Sequence, residues 1–272
     1  MKNTFYLLCL FVSSLFYSSC NNYLYTAPEA NLLMLSEEGD MKVSAGLGFT
    51  TVREANVNVQ AAYSPIEHLG VAMSYFQIGG LSHPKTDGEN GNNGISSVTG
   101  ELAVGYYLKK EINTVKNRGT EMESSVRNQL LFDAYAGYGF GNVRRAFNVG
   151  DLNFNSQHYF IQGGAHYQSK LLTISYALRG VLLDYTKGRV NGNLSDSDLA
   201  RANSLKNSPF TFIESSFRVQ AGCEKIKCYF SRSWMMAPLN NKKLDYGPTS
   251  WHAGIVLNLN ALSRNKEVVE DI

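Results

Sequence analysis

The chain has 272 residues and a formal net charge of +2, so its charge does not indicate a nucleic-acid or strongly acidic partner. Charged residues make up only 18% of it, while 24 glycines, 16 tyrosines and 14 phenylalanines favour aromatic-rich β-structure. About 250 residues follow an apolar leader, enough for one β-domain or two small domains.

The leader comes first in the chain. After Lys2, the residues from Phe5 to Tyr17 are almost wholly apolar. This run of about 13 residues is shorter than the roughly 20 that a membrane-spanning helix needs. Residues 1–19 are therefore predicted to be a cleavable signal peptide.

Cys20 follows the leader directly, after Ser18 and Ser19. The arrangement resembles the bacterial lipobox, in which the cysteine is acylated and becomes the new N-terminus, although Tyr17 stands where Leu, Val or Ile is usual. We expect lipidation at Cys20; the alternative is an ordinary signal peptide that contains a cysteine. In similar lipoproteins an acidic run after the cysteine directs export to the cell surface, and no such run follows here. We therefore expect residues 20–39 to form a periplasmic linker, with the N-terminus on the periplasmic side of the outer membrane.

From Asp40 onward the sequence alternates apolar and polar residues with a period of two, which is typical of β-strands. Most runs are longer than the roughly five or six residues of an average strand, and they match the roughly 9–11 residues of a tilted membrane-spanning strand. We predict an all-β fold, an antiparallel up-and-down transmembrane β-barrel of about ten strands within residues 40–260. The runs lie around Met41–Phe49, Asn56–Tyr63, Leu69–Tyr75, Thr99–Leu108, Leu130–Phe140, His158–Gln168, Leu172–Leu182, Ile213–Ala221, Ile226–Trp234 and Trp251–Asn260.

The two faces of these strands differ in chemistry. One face carries Leu, Val, Ile and Ala, with aromatic residues towards the strand ends, which is the pattern of a lipid-facing surface. The other carries charged and amide side chains near mid-strand, so we expect it to line the lumen. The predicted interior polar network comprises Glu101, Asp133, Arg179, Glu214 and Arg218. Its expected role is to form structural salt bridges, and the alternative is a part in conduction or binding.

One hairpin allows the register of two strands to be predicted. A two-residue turn at Ser169–Lys170 would pair Phe160 with Arg179, both inside the barrel. Arg179 then needs a carboxylate partner, because an unpaired buried guanidinium would cost several kcal/mol. The candidates are Asp133 and Glu214.

The connections between strands predict which end faces outward, because transmembrane barrels have short periplasmic turns and longer outer loops. Three connections are short, at Ser64–His68, Ser169–Lys170 and Glu224–Lys227, whereas Lys109–Arg127 on the same side is long. An even number of strands would put both termini on the periplasmic side. Residues 261–272 form a polar C-terminal tail. The long predicted outer loops are Gly79–Ser97, Gly141–Ser156, Lys187–Ser208 and Ala237–Pro248.

Some segments resemble a known class. Cys20, the stretch Tyr25-Thr26-Ala27-Pro28 followed by Leu32-Leu33, and the strand pair VNVQAAYSPIEHLGVAMSYF with His68 at its turn are similar to Bacteroidetes outer-membrane β-barrel lipoproteins. The resemblance implies location and fold, and it implies no activity.

The cysteines and the lack of known catalytic motifs limit the chemical functions that the sequence predicts. A turn between Cys223 and Cys228 would set the two on one face, where they are either disulfide-bonded or two free thiols. We find no G-x-S-x-G, H-E-x-x-H or P-loop motif and no clustered Cys/His spacing, so we expect no catalytic residues, metal or cofactor.

The leading hypothesis is a lipid-anchored outer-membrane barrel with a structural or interaction role. It would contact outer-membrane lipid and an envelope protein partner, through its outer loops or the segment Lys109–Arg127. The alternatives are a narrow channel for small solutes, a lipid-modifying envelope enzyme that uses His158, His166 or His252, and a soluble ligand-binding barrel on a lipid tether.

Overall fold

The computed structural model describes part of the chain, so the predicted signal peptide, Cys20 and most of the predicted tail lie outside the described residues. The described ranges are 25–50, 54–79, 95–113, 128–147, 150–192, 209–236, 246–247 and 249–262.

Ten antiparallel strands close into a barrel in the order of the sequence, which confirms the predicted all-β up-and-down barrel. The barrel closes where the last strand pairs with both the first strand and the one before it. Two further strands, Tyr25–Thr26 and Tyr246–Gly247, form a small parallel pair of their own. The strands are β1 Tyr25–Thr26, β2 Met41–Thr50, β3 Ala55–Ile66, β4 Leu69–Ile78, β5 Ile95–Asn113, β6 Asn128–Phe147, β7 Gly150–Gln168, β8 Leu172–Gly192, β9 Phe210–Gly222, β10 Ile226–Met236, β11 Tyr246–Gly247 and β12 Thr249–Asn258.

The alternation of the sequence sorts side chains between the two surfaces of the barrel wall. In β4, Met73 is exposed on the outside while Ser74 is buried inside. The outer face is apolar across the barrel: Ile161 is 71% exposed and Leu47 64%. Arg179 on the inner face is 1% exposed. Among the described residues, no helix is long and apolar enough to cross a membrane.

Exposed aromatic side chains lie near both ends of the strands on the outer surface, which is the girdle arrangement of membrane barrels. Arg232 also faces outward, and its guanidinium carbon lies 4.5 Å from the ring centre of Trp251 and 5.9 Å from that of Trp234. The two aromatic rings thus form cation–π contacts with the Arg232 guanidinium, which otherwise would lie unpartnered on the apolar outer face. The exposed aromatic residues include Phe49, Tyr75, Phe140 and Tyr159 towards one end and Tyr63, Tyr106 and Phe132 towards the other.

The two ends of the barrel differ. We call the end that carries the turns at 67–68, 169–171 and 223–225 the short-turn end, and the opposite end the loop-rich end. At the loop-rich end the predicted loop Gly141–Ser156 is wrong, because β6 and β7 stay paired up to Phe147 and Gly150. Arg144 Nε donates to Asp151 Oδ2 across this extension at 2.9 Å. Residues 114–127, most of the long segment predicted at the short-turn end, lie outside the described residues.

The turn after β7 also differs from its prediction. Ser169 N donates to the Leu172 carbonyl at 2.8 Å, so the hairpin turns at residues 170–171, one position later than predicted. Arg179 is therefore opposite Gln162, not Phe160. The shift by two residues keeps each side chain on its predicted face.

Residues 25–39, which we call the plug segment, run inside the barrel, so the prediction of a periplasmic linker is wrong for this part of residues 20–39. Glu29 and Leu32 are 0% exposed and Leu35 is 2% exposed. The segment reaches β2 at the short-turn end, where Ser64 N donates to the Asp40 carbonyl at 2.9 Å. The ten barrel strands begin and end at the short-turn end, but the plug segment runs through the lumen, so Tyr25 lies towards the opposite end from Met41 and Asn258.

Two glycines make room for an inward-facing aromatic ring. Gly46 and Gly254 are cross-strand partners on β2 and β12, and the ring of Tyr229 from β10 lies against both. The guanidinium carbon of Arg218 lies 4.2 Å from the ring centre of Tyr229. A β-carbon at either glycine would displace the ring and, with it, the surface on which Arg218 rests.

We expect Gly254→Ala to lower the free energy of unfolding by about 1–3 kcal/mol, the usual cost of overpacking. The added β-carbon would overlap the Ala45 carbonyl and the Gly46 backbone. Urea unfolding in detergent, followed by tryptophan fluorescence, measures the change. Gly163→Ala is the control, because its β-carbon meets nothing closer than the Asp133 carbonyl at 4.0 Å. Equal urea midpoints for the two variants would contradict this packing.

Candidate functional site

The lumen is the candidate site, because inward-facing positions of all ten strands and the plug segment meet there. Towards the loop-rich end it is lined by buried apolar residues, including Phe154, Tyr185 and Phe210. Tyr25 joins this cluster from the plug segment and stacks on Phe212, with ring centres 5.2 Å apart. Polar and charged side chains lie below this layer, towards the short-turn end.

The first charged cluster is centred on Arg179. Its guanidinium forms an ion pair with Glu101, and its Nε lies 3.4 Å from Glu214 Oε2. His158 Nε2 lies 2.8 Å from Glu101 Oε1. The ring centre of Phe160 lies 4.0 Å from the guanidinium carbon and covers one face of the cation. Two carboxylates thus share one arginine, and all three side chains are buried.

The plug segment completes this cluster. The Tyr25 hydroxyl donates to Glu214 Oε1 at 2.8 Å. The carboxylates of Glu101 and Glu214 share Arg179, and this hydroxyl stabilises the second carboxylate without adding a charge. The plug segment is therefore part of the polar network and not only a filler.

The second charged cluster is centred on Glu29 of the plug segment. Arg218 Nε donates to Glu29 Oε1 at 2.8 Å, and both side chains are 0% exposed. Asn58 Nδ2 donates to the other carboxylate oxygen at 2.6 Å. Gln60 Oε1 accepts a bond from Arg218 Nη2 at 2.9 Å. One plug carboxylate thus binds side chains of two separate parts of the wall, β3 and β9.

Side chains of the wall also donate hydrogen bonds to the backbone carbonyls of the plug segment, which is extended and makes few backbone hydrogen bonds within itself. Gln60 Nε2 donates to the carbonyls of Glu29 and Ala30, each at 3.1 Å. Gln162 Nε2 donates to the Asn31 carbonyl at 2.9 Å. Buried backbone carbonyls need such partners, and Gln60 and Gln162 supply them to the plug.

The five residues of the predicted interior network all lie inside but do not form one network. Glu101, Arg179 and Glu214 meet in the first cluster, and Arg218 binds Glu29 in the second. Asp133 is separate from both, with its Oδ2 2.8 Å from His166 Nε2. Glu101 is the partner of Arg179 that the prediction omitted, and Asp133 is not a partner.

Little space is left inside. A cavity between the plug and the wall, lined by Asn31, Ser74 and Gln162 among others, measures about 10 Å³, which is the size of one water site. A larger cleft of about 340 Å³ lies at the rim of the short-turn end. It is lined by plug residues 36–38, the turn Glu67–His68, and Tyr107 and Lys109 of β5.

The histidines do not form a reactive constellation in the described part of the chain. His158, His166 and His252 are each at most 2% exposed, and each lies near a different carboxylate, namely Glu101, Asp133 or Glu29. Within the described ranges no group of three or more His, Cys, Asp or Glu side chains could hold a metal ion.

The two thiols do not form the disulfide that the sequence allowed. Cys223 and Cys228 are both free and exposed. Gly222 pairs with Lys227, so Cys228 is opposite Ala221 and Cys223 falls in the turn. Cys228 was predicted to lie opposite Cys223, so the predicted register was wrong by two residues, and this separates the two thiols.

Sequence reasoning missed Glu29 as a member of the site. The signal was present, because Glu29 is the single charged residue between Tyr25 and Leu35 in an otherwise largely apolar stretch. Such a stretch is too apolar for a solvated linker, and a lone carboxylate within it needs a buried cation.

Comparison with known proteins adds little to this geometry. No protein-family model matches the sequence, and comparison with curated proteins finds no match. Among solved structures, the chain is similar to in-vitro folded OmpT, an outer membrane protein of Vibrio cholerae. That match has 10% sequence identity and a TM-score of 0.25, and it covers 84% of this chain and 100% of the other. A likeness at this level carries no conclusion about function.

We expect Glu29→Gln to lower the free energy of unfolding by about 3–5 kcal/mol, because it leaves the buried Arg218 without a counter-charge. Adding Arg218→Met to this variant should recover much of the loss, since the buried cation is then gone. Urea unfolding of both single variants and the double variant gives the coupling energy. Glu38→Gln at the exposed rim is the control and should change stability by less than about 0.5 kcal/mol. Additive effects of the two lumen substitutions would contradict the ion pair.

Proposed function

We propose that the chain is a lipid-anchored outer-membrane barrel that acts as a structural or interaction component of the cell envelope. In this proposal its lumen is held closed by its own plug segment. The observation that carries the proposal is the inversion of the usual arrangement of a soluble protein. Apolar side chains cover the outside while Glu29, Arg179 and Arg218 are sealed inside.

The outer surface supports a membrane location. Leu102, Val104 and Ile255 are about half exposed near the middle of their strands, and aromatic residues flank this apolar zone. Several hundred Å² is the usual limit for an apolar patch on a soluble monomer, and here the apolar surface continues around the barrel. Hydrocarbon is the solvent that suits such a surface, which disfavours a soluble barrel on a tether.

The filled lumen disfavours the channel alternative. A solute path along the axis would have to pass the plug segment, whose residues Glu29 to Leu35 are bound to or packed against the wall. Barrels of about eight strands are already filled by their own side chains, and this ten-stranded barrel adds a segment of chain to fill the extra width. We infer that the resting protein does not conduct.

Within the described residues, the three histidines that the enzyme alternative would use are not accessible. His158, His166 and His252 are buried in the lumen beside carboxylates, so a lipid substrate could not reach them from the bilayer. The proposed role is therefore that of a membrane-embedded barrel whose two ends are available to a protein partner. In this proposal a protein partner binds the outer connections or the segment Lys109–Arg127, most of which lie outside the described residues. The described surface that supports it is the cleft beside Lys109 at the short-turn rim.

A planar-bilayer recording tests the proposal. The unaltered protein should insert without producing steady single-channel steps. A variant in which residues 30–35 are replaced by alternating Gly and Ser, which keeps Glu29 beside Arg218, should produce small steps, because the chain that fills the lumen can then move. The same replacement of residues 80–90 is the control and should stay silent. Steady steps from the unaltered protein would refute the closed barrel.

A further inference from the structure

We infer that the acylated cysteine lies at the loop-rich end of the barrel, so that its lipid enters the outer leaflet and the start of the mature chain is displayed at the cell surface. The inference rests on the proposed function, because it takes Cys20 as lipidated and the loop-rich end as the outside. It replaces the sequence-based expectation of an N-terminus on the periplasmic side.

The direction of the plug segment carries this inference. Its first residues, Tyr25 and Thr26, pair in parallel with Tyr246 and Gly247. That strand lies in the connection between β10 and β12, which belongs to the loop-rich end. The segment ends at Asp40, beside Ser64 and the short-turn end. The chain therefore enters the barrel from the loop-rich end and leaves it at the other.

Contacts along the segment follow the same order. Tyr25 stacks on Phe212, near the start of β9 at the loop-rich end. Asn31, further along, binds Gln162 and the Met73 carbonyl in the middle of their strands. Leu35 then packs in the cluster that contains Tyr107, close to the turn at 67–68. Contacts at three positions along the barrel axis, and not one terminal contact alone, thus establish the chain direction of the plug segment.

Chain length excludes the opposite side for Cys20. The ring of Tyr25 stacks on Phe212, with its hydroxyl pointing on towards Glu214, and ten residue steps of β9 separate Phe212 from Gly222 at the short-turn end. Those steps cover about 33 Å along the strand, or about 25 Å along the axis at the usual tilt. Five residues from Cys20 to Tyr25 span at most about 18 Å, and the lumen between is already filled. A path back to the periplasmic rim is not available.

In this topology the barrel has a second function, which is to hold its own lipid-modified N-terminus on the outer side of the membrane. Closure of the wall around the plug segment would leave residues before Tyr25 outside. No acidic export run after Cys20 is then needed, because the position of the N-terminus follows from threading. The ion pair between Glu29 and Arg218 holds the threaded chain in place.

Epitope accessibility in a Gram-negative host tests the inference. One epitope is inserted between Asn22 and Tyr23, a second within residues 80–94 as a loop-rich-end control, and a third after Lys170 as a short-turn control. Incorporation of labelled palmitate, with Cys20→Ala as the negative control, reports lipidation. Carbonate washing reports membrane insertion, and the gel mobility of unheated samples reports whether each tagged barrel is folded.

We expect antibody to bind the epitopes at 22 and 80–94 on intact cells, and the epitope at 170 only after permeabilisation. Binding at 80–94 with protection at 22 would overturn the threaded anchor while leaving the proposed membrane barrel intact. Release of the Cys20→Ala protein by carbonate would instead overturn the membrane barrel, and absence of palmitate label would overturn the anchor itself.

Discussion

The buried ion pair between Arg218 of β9 and Glu29 of the plug segment is the interaction on which the rest of the structure depends. Both side chains are fully buried, and an arginine in that position without a carboxylate would be strongly destabilising. The wall alone gives Arg218 no carboxylate among its described hydrogen-bond and ion-pair partners; its wall partner is the amide of Gln60. The closed barrel therefore needs the plug segment inside it.

The need for the plug segment follows from the chemistry of the outer face of the barrel. An apolar outer face leaves the inward face as the place for charged and amide side chains, and ten strands make the lumen wider than those side chains fill. The plug segment supplies both missing parts: apolar volume from Leu32 and Leu35, and a carboxylate from Glu29. Its entry at the loop-rich end then decides where the chain before Tyr25 must lie. One packing solution thus accounts for the closed lumen and for the side on which the anchor is proposed.

Strand positions and faces could be predicted from the sequence, because a period of two is a local property and the two faces differ in polarity. Register was less predictable. The turn after Gln168 depends on a bond between Ser169 and Leu172, and the turn after Gly222 puts Ala221, two residues before Cys223, opposite Cys228. The path of the plug segment could not be predicted by pattern, since its partners come from β3, β7, β8 and β9 and no short stretch encodes them. The lone Glu29 was the one local sign.

Cross-linking of the plug to the wall tests this account most directly. Ala30 of the plug segment and Ala177 of β8 lie in one buried cluster with Leu32, whereas Leu178 beside Ala177 points outward and is 48% exposed. After Cys223→Ser and Cys228→Ser, the pair Ala30→Cys and Ala177→Cys should form a disulfide in the folded, membrane-extracted protein, and the pair Ala30→Cys and Leu178→Cys should not. Failure of the first pair to oxidise in a folded barrel, or equal oxidation of both pairs, would contradict a plug inside the lumen.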